Sequence, residues 1–113
     1  MVTIGLTEEA DQINNDLKEY FGFKNSKDMA LFAFSYAISN NLPYHPVAGA
    51  QTKWGTSTFD NTDFETIIKI CYPEEEGDPI EIFRDLIHAG IYEIDELKRK
   101  KPNITISDLI PQE

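Results

Sequence analysis

The sequence predicts a mainly α single domain over residues 1–113, with a short N-terminal strand followed by about five helices. Three observations carry that expectation. Apolar residues recur at spacings of three and four over 8–21, 61–72 and 79–100, which is the period of a half-buried helix. Good capping residues stand ahead of those runs: Thr7, Asn25 or Ser26, Thr62 and Asp78. The stretch from Lys27 to Asn40, KDMALFAFSYAISN, has almost no polar face, the mark of a helix buried all round. One chain of 113 residues has little material to cover such a helix on every side. A homo-oligomer is therefore expected, with Val2, Ile4, Leu6, Phe32, Phe34 and Tyr36 in its shared core.

Three parts follow along the chain: a strand-helix-helix unit over 1–41, a long loop over 42–60, and a C-terminal helical part over 61–113. Val2, Ile4 and Leu6 alternate with Thr3 and Gly5, giving a short strand that needs a partner from a hairpin or from another chain. Thr7 caps the first helix, Glu8 and Glu9 suit its dipole, and Gly22 ends it. Ala10, Ile13, Leu17, Tyr20 and Phe21 form its apolar side, while Asp11, Asn14, Asn15, Asp16, Lys18 and Glu19 read as a solvated face. Pro43 ends the central helix. Residues 42–60 show no helical period, so they hold a short strand near 52–59 or serve as a functional loop. The third helix starts at Asn61 or Thr62 and carries Phe64, Ile67, Ile68, Cys71 and Tyr72 on one side until Pro73. Asp78-Pro79 opens the fourth helix, Gly90 reads as a break, and a fifth helix runs from Ile91 to about Lys100. Ile104–Ile106 is a candidate strand, with Ser107 capping a last turn.

The chain carries a net charge of −10, with 20 acids and 10 bases. That balance argues against general attraction to phosphate backbones or anionic membranes. The charge is uneven. Twelve acids face two bases over residues 54–96, whereas Lys24, Lys27 and Lys53 form one weakly basic island and Lys98, Arg99, Lys100 and Lys101 another. The single cysteine, Cys71, allows no intrachain disulfide and fits a reducing, cytoplasmic setting. The N-terminus lacks a signal-peptide pattern, and no run nears the roughly 20 apolar residues that span a bilayer.

A strand, a capped amphipathic helix, a tight link and an apolar helix over residues 2–41 resemble a ribbon-helix-helix unit. Within that class, the Leu6-Thr7-Glu8-Glu9 start, the spacing from Leu17 to Gly22-Phe23 and the FAFSYAIS helix are most similar to the DndE family, small proteins associated with DNA phosphorothioation. The resemblance implies paired strands and intertwined helices from two chains, and an accessory role in DNA modification or bacterial defence. The chain departs from the pattern at the outward strand positions, Thr3 and Gly5, where DNA-reading ribbons carry polar or basic residues. Ala33, Phe34 and Ser35 also stand where an arginine is expected.

Any DNA contact is accordingly expected at the backbone, through Lys24, Asn25, Ser26 and Lys27 at a helix N-terminus, through Lys53 and Trp54 in the loop, and through Lys98, Arg99, Lys100 and Lys101. The plainer alternatives are a capped turn with solvated lysines, and a tryptophan that anchors the loop on the core. Glu74, Glu75 and Glu76 are the candidate contacts for a basic protein partner, or else part of a solvated surface. Gly49–Thr56 does not make a P-loop, because its second glycine would fall at Trp54. His45, His88 and Cys71 lack metal-ligand spacing, and no catalytic residue, metal or cofactor is expected. The leading expectation is a non-enzymatic accessory protein of a DNA modification or defence system, binding DNA weakly, a protein partner, or both. The alternative is an acidic protein-binding inhibitor or adaptor, in one form a DNA mimic, that binds no DNA. A small hydrolase built around the 42–60 loop is the third reading.

Overall fold

A computed structural model describes residues 3–59 and 63–110. It is mainly helical with a short N-terminal strand pair. In order come β1 (Thr3–Leu6), α1 (Glu8–Phe21), α2 (Ser26–Ser39), β2 (Gln51–Gly55), a 3-10 turn (Thr56–Phe59), α3 (Phe64–Cys71), α4 (Pro79–Lys100) and α5 (Ile106–Leu109).

The caps behave as local chemistry dictates. Thr7 Oγ1 accepts from the Ala10 N–H at 3.1 Å, and Gly22 closes α1 in the left-handed region at φ 80°. Asn25, not Ser26, caps α2 by accepting from the Asp28 N–H at 2.9 Å. Such a cap contributes about 1 kcal/mol over alanine. Asp78 caps α4 through the Ile80 N–H, with Pro79 at the first helical position, where its missing N–H does no harm. Asp63 precedes α3. The expected start of that helix at Asn61 or Thr62, and the oligomer-core residue Val2, lie outside the described residues.

The strand question resolves within one chain. β1 pairs antiparallel with β2, which emerges from the middle of the long loop, with Ile4 opposite Trp54 and a bulge between Ile4 and Gly5. Gly5 is not the open outward position expected from the alternation. A Cβ there would stand 2.5 Å from the Gln51 carbonyl oxygen, so only glycine admits β2 this closely.

Helix α4 organises the core. Its 22 residues run unbroken through Gly90, which corrects the expected break and merges the fourth and fifth helices. The reason is the crossing with α2: a Cβ on Gly90 would lie 2.0 Å from the Ala33 carbonyl oxygen. Glycine is present for backbone approach, not to end the helix. Around Phe83 the aromatic core assembles, with Phe64 stacked at 4.1 Å and Phe34 and Phe59 edge-on at 4.6 and 5.1 Å.

This packing covers one side of α2 within the chain. Ile4, Leu6 and Phe34, expected in an oligomer core, are buried inside the single chain, and Phe32 and Tyr36 are half-buried against the same core. The strand thus finds a partner in β2, and α1 and α4 bury Met29, Ala30, Ala33, Phe34 and Ala37 of α2, while Leu31, Phe32, Tyr36 and Ile38 stay half-exposed. Three smaller expectations also shift. Asn14, placed on a solvated face, is fully buried because its Nδ2 donates to the Ser26 carbonyl and ties α1 to the start of α2. Cys71 is exposed at the end of α3 rather than in its apolar stripe. Ile104–Ile106 is no strand: Ile106 opens α5, and Thr105, not Ser107, precedes that turn with its N–H on Asp108 Oδ2 at 2.9 Å. No helix among the described residues is long and apolar enough to cross a membrane.

Candidate partner-binding groove

The segment Leu42–Val47, LPYHPV, leaves α2 as an extended ridge laid along α4. Its two prolines give up backbone donors and hold the chain extended, so side chains rather than a sheet ladder fix it in place. A cavity opens on each side of this ridge. The first, of about 380 Å³, is walled by the ridge and by Asp85, His88, Ala89, Tyr92 and Glu93 of α4. The second, of about 760 Å³, is bounded by the ridge, Tyr72, Glu75, Asp78, Glu81 and Arg84. Tyr44 and Asp85 belong to both.

Five carboxylates, Glu75, Asp78, Glu81, Asp85 and Glu93, line the pair of cavities, and Arg84 is the only lysine or arginine among their described walls. Glu74 and Glu76 flank Glu75 on an exposed turn. Tyr44 stands edge-on to Tyr72 at 5.5 Å. Its hydroxyl is buried beside the Glu75 carboxylate, and burial, followed by the negative charge of Glu75 and hydrogen bonding to it, pushes its pKa up to about 12. Asp85 is only 6% exposed; its Oδ1 accepts from the Val47 N–H at 3.3 Å, pinning the ridge, and from Arg84 Nε at 3.1 Å.

His88 holds the floor. Its Nδ1 lies 2.8 Å from the Arg84 carbonyl oxygen, which can only accept, so Nδ1 carries the proton. Nε2 then accepts the Thr7 N–H at 3.2 Å. Burial lowers the pKa of this imidazole below its usual value, in keeping with a neutral ring. His88 is thus a satisfied structural histidine joining α4 to the start of α1. His45 is exposed at the rim of the smaller cavity. Among the described residues, no three His, Cys, Asp or Glu side chains come together as a metal site.

The expected DNA contacts do not form one surface of free charge. Lys53 Nζ reaches Asp11 Oδ1 at 2.6 Å. Its neighbour Trp54 packs partly buried against the core, edge-on to Phe59 at 5.4 Å, as a loop anchor would. In the C-terminal cluster, Arg99 pairs with Asp95 at 3.0 Å, Lys100 approaches Glu96 at 3.9 Å, and Lys101 meets Asp108 at 3.1 Å. The Thr105 N–H, with Lys101 beside it, holds the Asp108 carboxyl below the usual carboxylate range. Lys98 sits over the Tyr20 ring at 4.7 Å from its centre. Lys24 and Lys27, unlike the other named bases, make neither an ion pair nor a ring contact with a described residue, and they flank the capped Asn25-Ser26 turn.

Sequence reasoning named Glu74–Glu76, of which Glu75 lines the second cavity, and did not name Tyr44, Asp85, Tyr92 and Glu93. A signal existed for Asp85 and His88, since both interrupt the apolar side of α4 between Ile82 and Ile91. No family model matches the chain, and no curated protein or solved structure matches it either.

Proposed function

We propose that the protein is a non-enzymatic adaptor that docks a basic segment of a protein partner in the groove beside residues 42–47. One observation carries this reading: five carboxylates and three tyrosines line the open groove, while most bases expected to meet DNA are engaged within the chain. A groove of one charge sign favours approach of the opposite sign and excludes phosphate. The accessory role in DNA modification or defence implied by the ribbon-helix-helix and DndE resemblance fits the same chemistry, because proteins that handle DNA carry basic segments. Direct DNA contact is the second reading, supported by Lys24 and Lys27, which are left unpaired at the start of α2.

The test uses three fluorescent probes: a lysine-rich peptide, an acidic peptide of equal length, and a short DNA duplex. At low salt the basic peptide should bind saturably and the acidic peptide should not. Reversing Glu74, Glu75 and Glu76 to lysine should weaken the basic peptide by about tenfold or more. Equal affinity of the reversed variant would remove the docking reading. Duplex binding abolished by joint replacement of Lys24 and Lys27 with alanine would establish the second reading in its place.

A further inference from the structure

Docking of a basic segment leaves one feature of the groove without a role. Asp85 is a carboxylate on the core side of α4, only 6% exposed, at the wall shared by both cavities. Its two hydrogen bonds end on the same oxygen, Oδ1, leaving Oδ2 outside both. The Arg84 side chain that pairs with it is 23% exposed, so that charge is partly spent on water, whereas the carboxylate is not. A largely buried carboxylate with one oxygen outside these bonds can still take a further donor. Within the smaller cavity the other polar groups do not supply it. Glu93 adds a second negative charge, and the buried Tyr44 hydroxyl lies beside the Glu75 carboxylate. Both ring nitrogens of His88 are already committed, to the Arg84 carbonyl and the Thr7 N–H. Apart from His45, exposed at the rim, the rest of the wall is apolar or aromatic: Leu42, Pro43, Pro46, Val47, Ala89 and the Tyr92 ring.

We propose that the cavity of about 380 Å³ is an anchor pocket for one arginine side chain of the docked segment, its guanidinium held by Asp85 and Glu93. The proposal rests on the docking reading and adds to it a choice of side chain. Two carboxylates and an acceptor hydroxyl answer a planar, multi-donor cation, and the apolar wall takes the methylene stem. A guanidinium is less strongly hydrated than an ammonium and stacks on a ring such as Tyr92, so it enters a half-apolar pocket at lower desolvation cost than lysine. The cavity is of the size that encloses small ligands.

The experiment compares three basic peptides that differ at one central position, occupied by arginine, by lysine or by uncharged citrulline. Each is titrated against the whole protein by fluorescence anisotropy. The arginine peptide should bind about tenfold tighter than the lysine peptide, with citrulline weakest. On Glu93→Gln, and on Ala89→Phe, which fills the cavity from α4 while keeping every carboxylate, the ratio of arginine to lysine affinity should fall toward one. Circular dichroism and thermal melts confirm folding of both variants, so nothing depends on Asp85→Asn, which also loosens the ridge. An arginine peptide no tighter than the lysine peptide overturns the anchor while leaving docking intact. An arginine advantage that survives Ala89→Phe places the anchor elsewhere and overturns it equally. Failure of every basic peptide to bind removes the docking reading, and the anchor with it.

Discussion

Replacing Gly90 with alanine should destabilise the protein, although the same change in an exposed helix stabilises it. Glycine inside a helix is less favourable than alanine by roughly 0.5–1 kcal/mol, so propensity alone predicts a gain. At this position the new Cβ would stand 2.0 Å from the Ala33 carbonyl oxygen, 2.6 Å from its carbonyl carbon and 3.0 Å from its Cα. All three are backbone atoms of α2, so no side-chain rotation relieves the clash. The helices must separate along the line where Met29, Ala30, Ala33 and Ala37 meet α4, loosening the Phe34–Phe83 contact as well. Overpacking of this kind costs about 1–3 kcal/mol or more, which exceeds the propensity gain. A net loss of about 2 kcal/mol is expected, read as a lower urea midpoint at unchanged slope. Because the obstacle is backbone, adding Ala33→Gly should fail to rescue the variant. A Gly90→Ala protein as stable as the parent, or more so, would show that α2 does not approach α4 this closely.

Two further outcomes follow from the core and its histidine. Phe83→Ala removes the ring on which Phe34, Phe59 and Phe64 converge, and should cost about 3–5 kcal/mol in denaturant unfolding; a loss under about 1 kcal/mol would misplace the core. His88 has its folded pKa lowered by burial, so the unfolded chain binds more protons than the folded one. Its contribution is complete above the unfolded value near 6.5 and is lost as pH falls through that value toward the folded one. The fall in stability from pH 7.5 to pH 5 should therefore be shallower in His88→Gln than in the parent, and an identical slope would refute the neutral-ring assignment.

What the sequence makes legible here is local. Thr7, Asn25, Gly22 and Asp78 act on backbone groups a few residues away, so their roles follow from position alone. The apolar sides of α1, α3 and α4 repeat at the helical period and were readable for the same reason. The misreadings involve partners distant in the chain. Gly90 looks like a helix break until the Ala33 carbonyl is placed against it. Asn14 looks solvated until the Ser26 carbonyl meets it. A strand near 52–59 is one of two readings of the long loop, and β2 takes that place because Trp54 and Gly55 pair with residues near the N-terminus. The basic cluster at 98–101 is an instructive middle case. Asp95 and Glu96 stand four residues ahead of Arg99 and Lys100, a spacing that pairs charges on one helix face, so part of its neutralisation was readable. The partner of Lys101, Asp108, depends on how the chain turns after α4. The groove itself is a product of tertiary structure, since nothing in LPYHPV announces that it will lie beside Asp85.

The dependence of α2 on α4 also has a consequence in time. A chain made from its N-terminus completes α2 at Ser39, but the helix that covers it ends only at Lys100. At roughly 5–20 residues per second, the intervening synthesis of about 60 residues takes about 3–12 s. Throughout that interval a helix with almost no polar face has its principal cover not yet made. Phe34 must wait for Phe83, and Ala33 for Gly90, so the nascent chain spends seconds as a sticky hairpin before it can close.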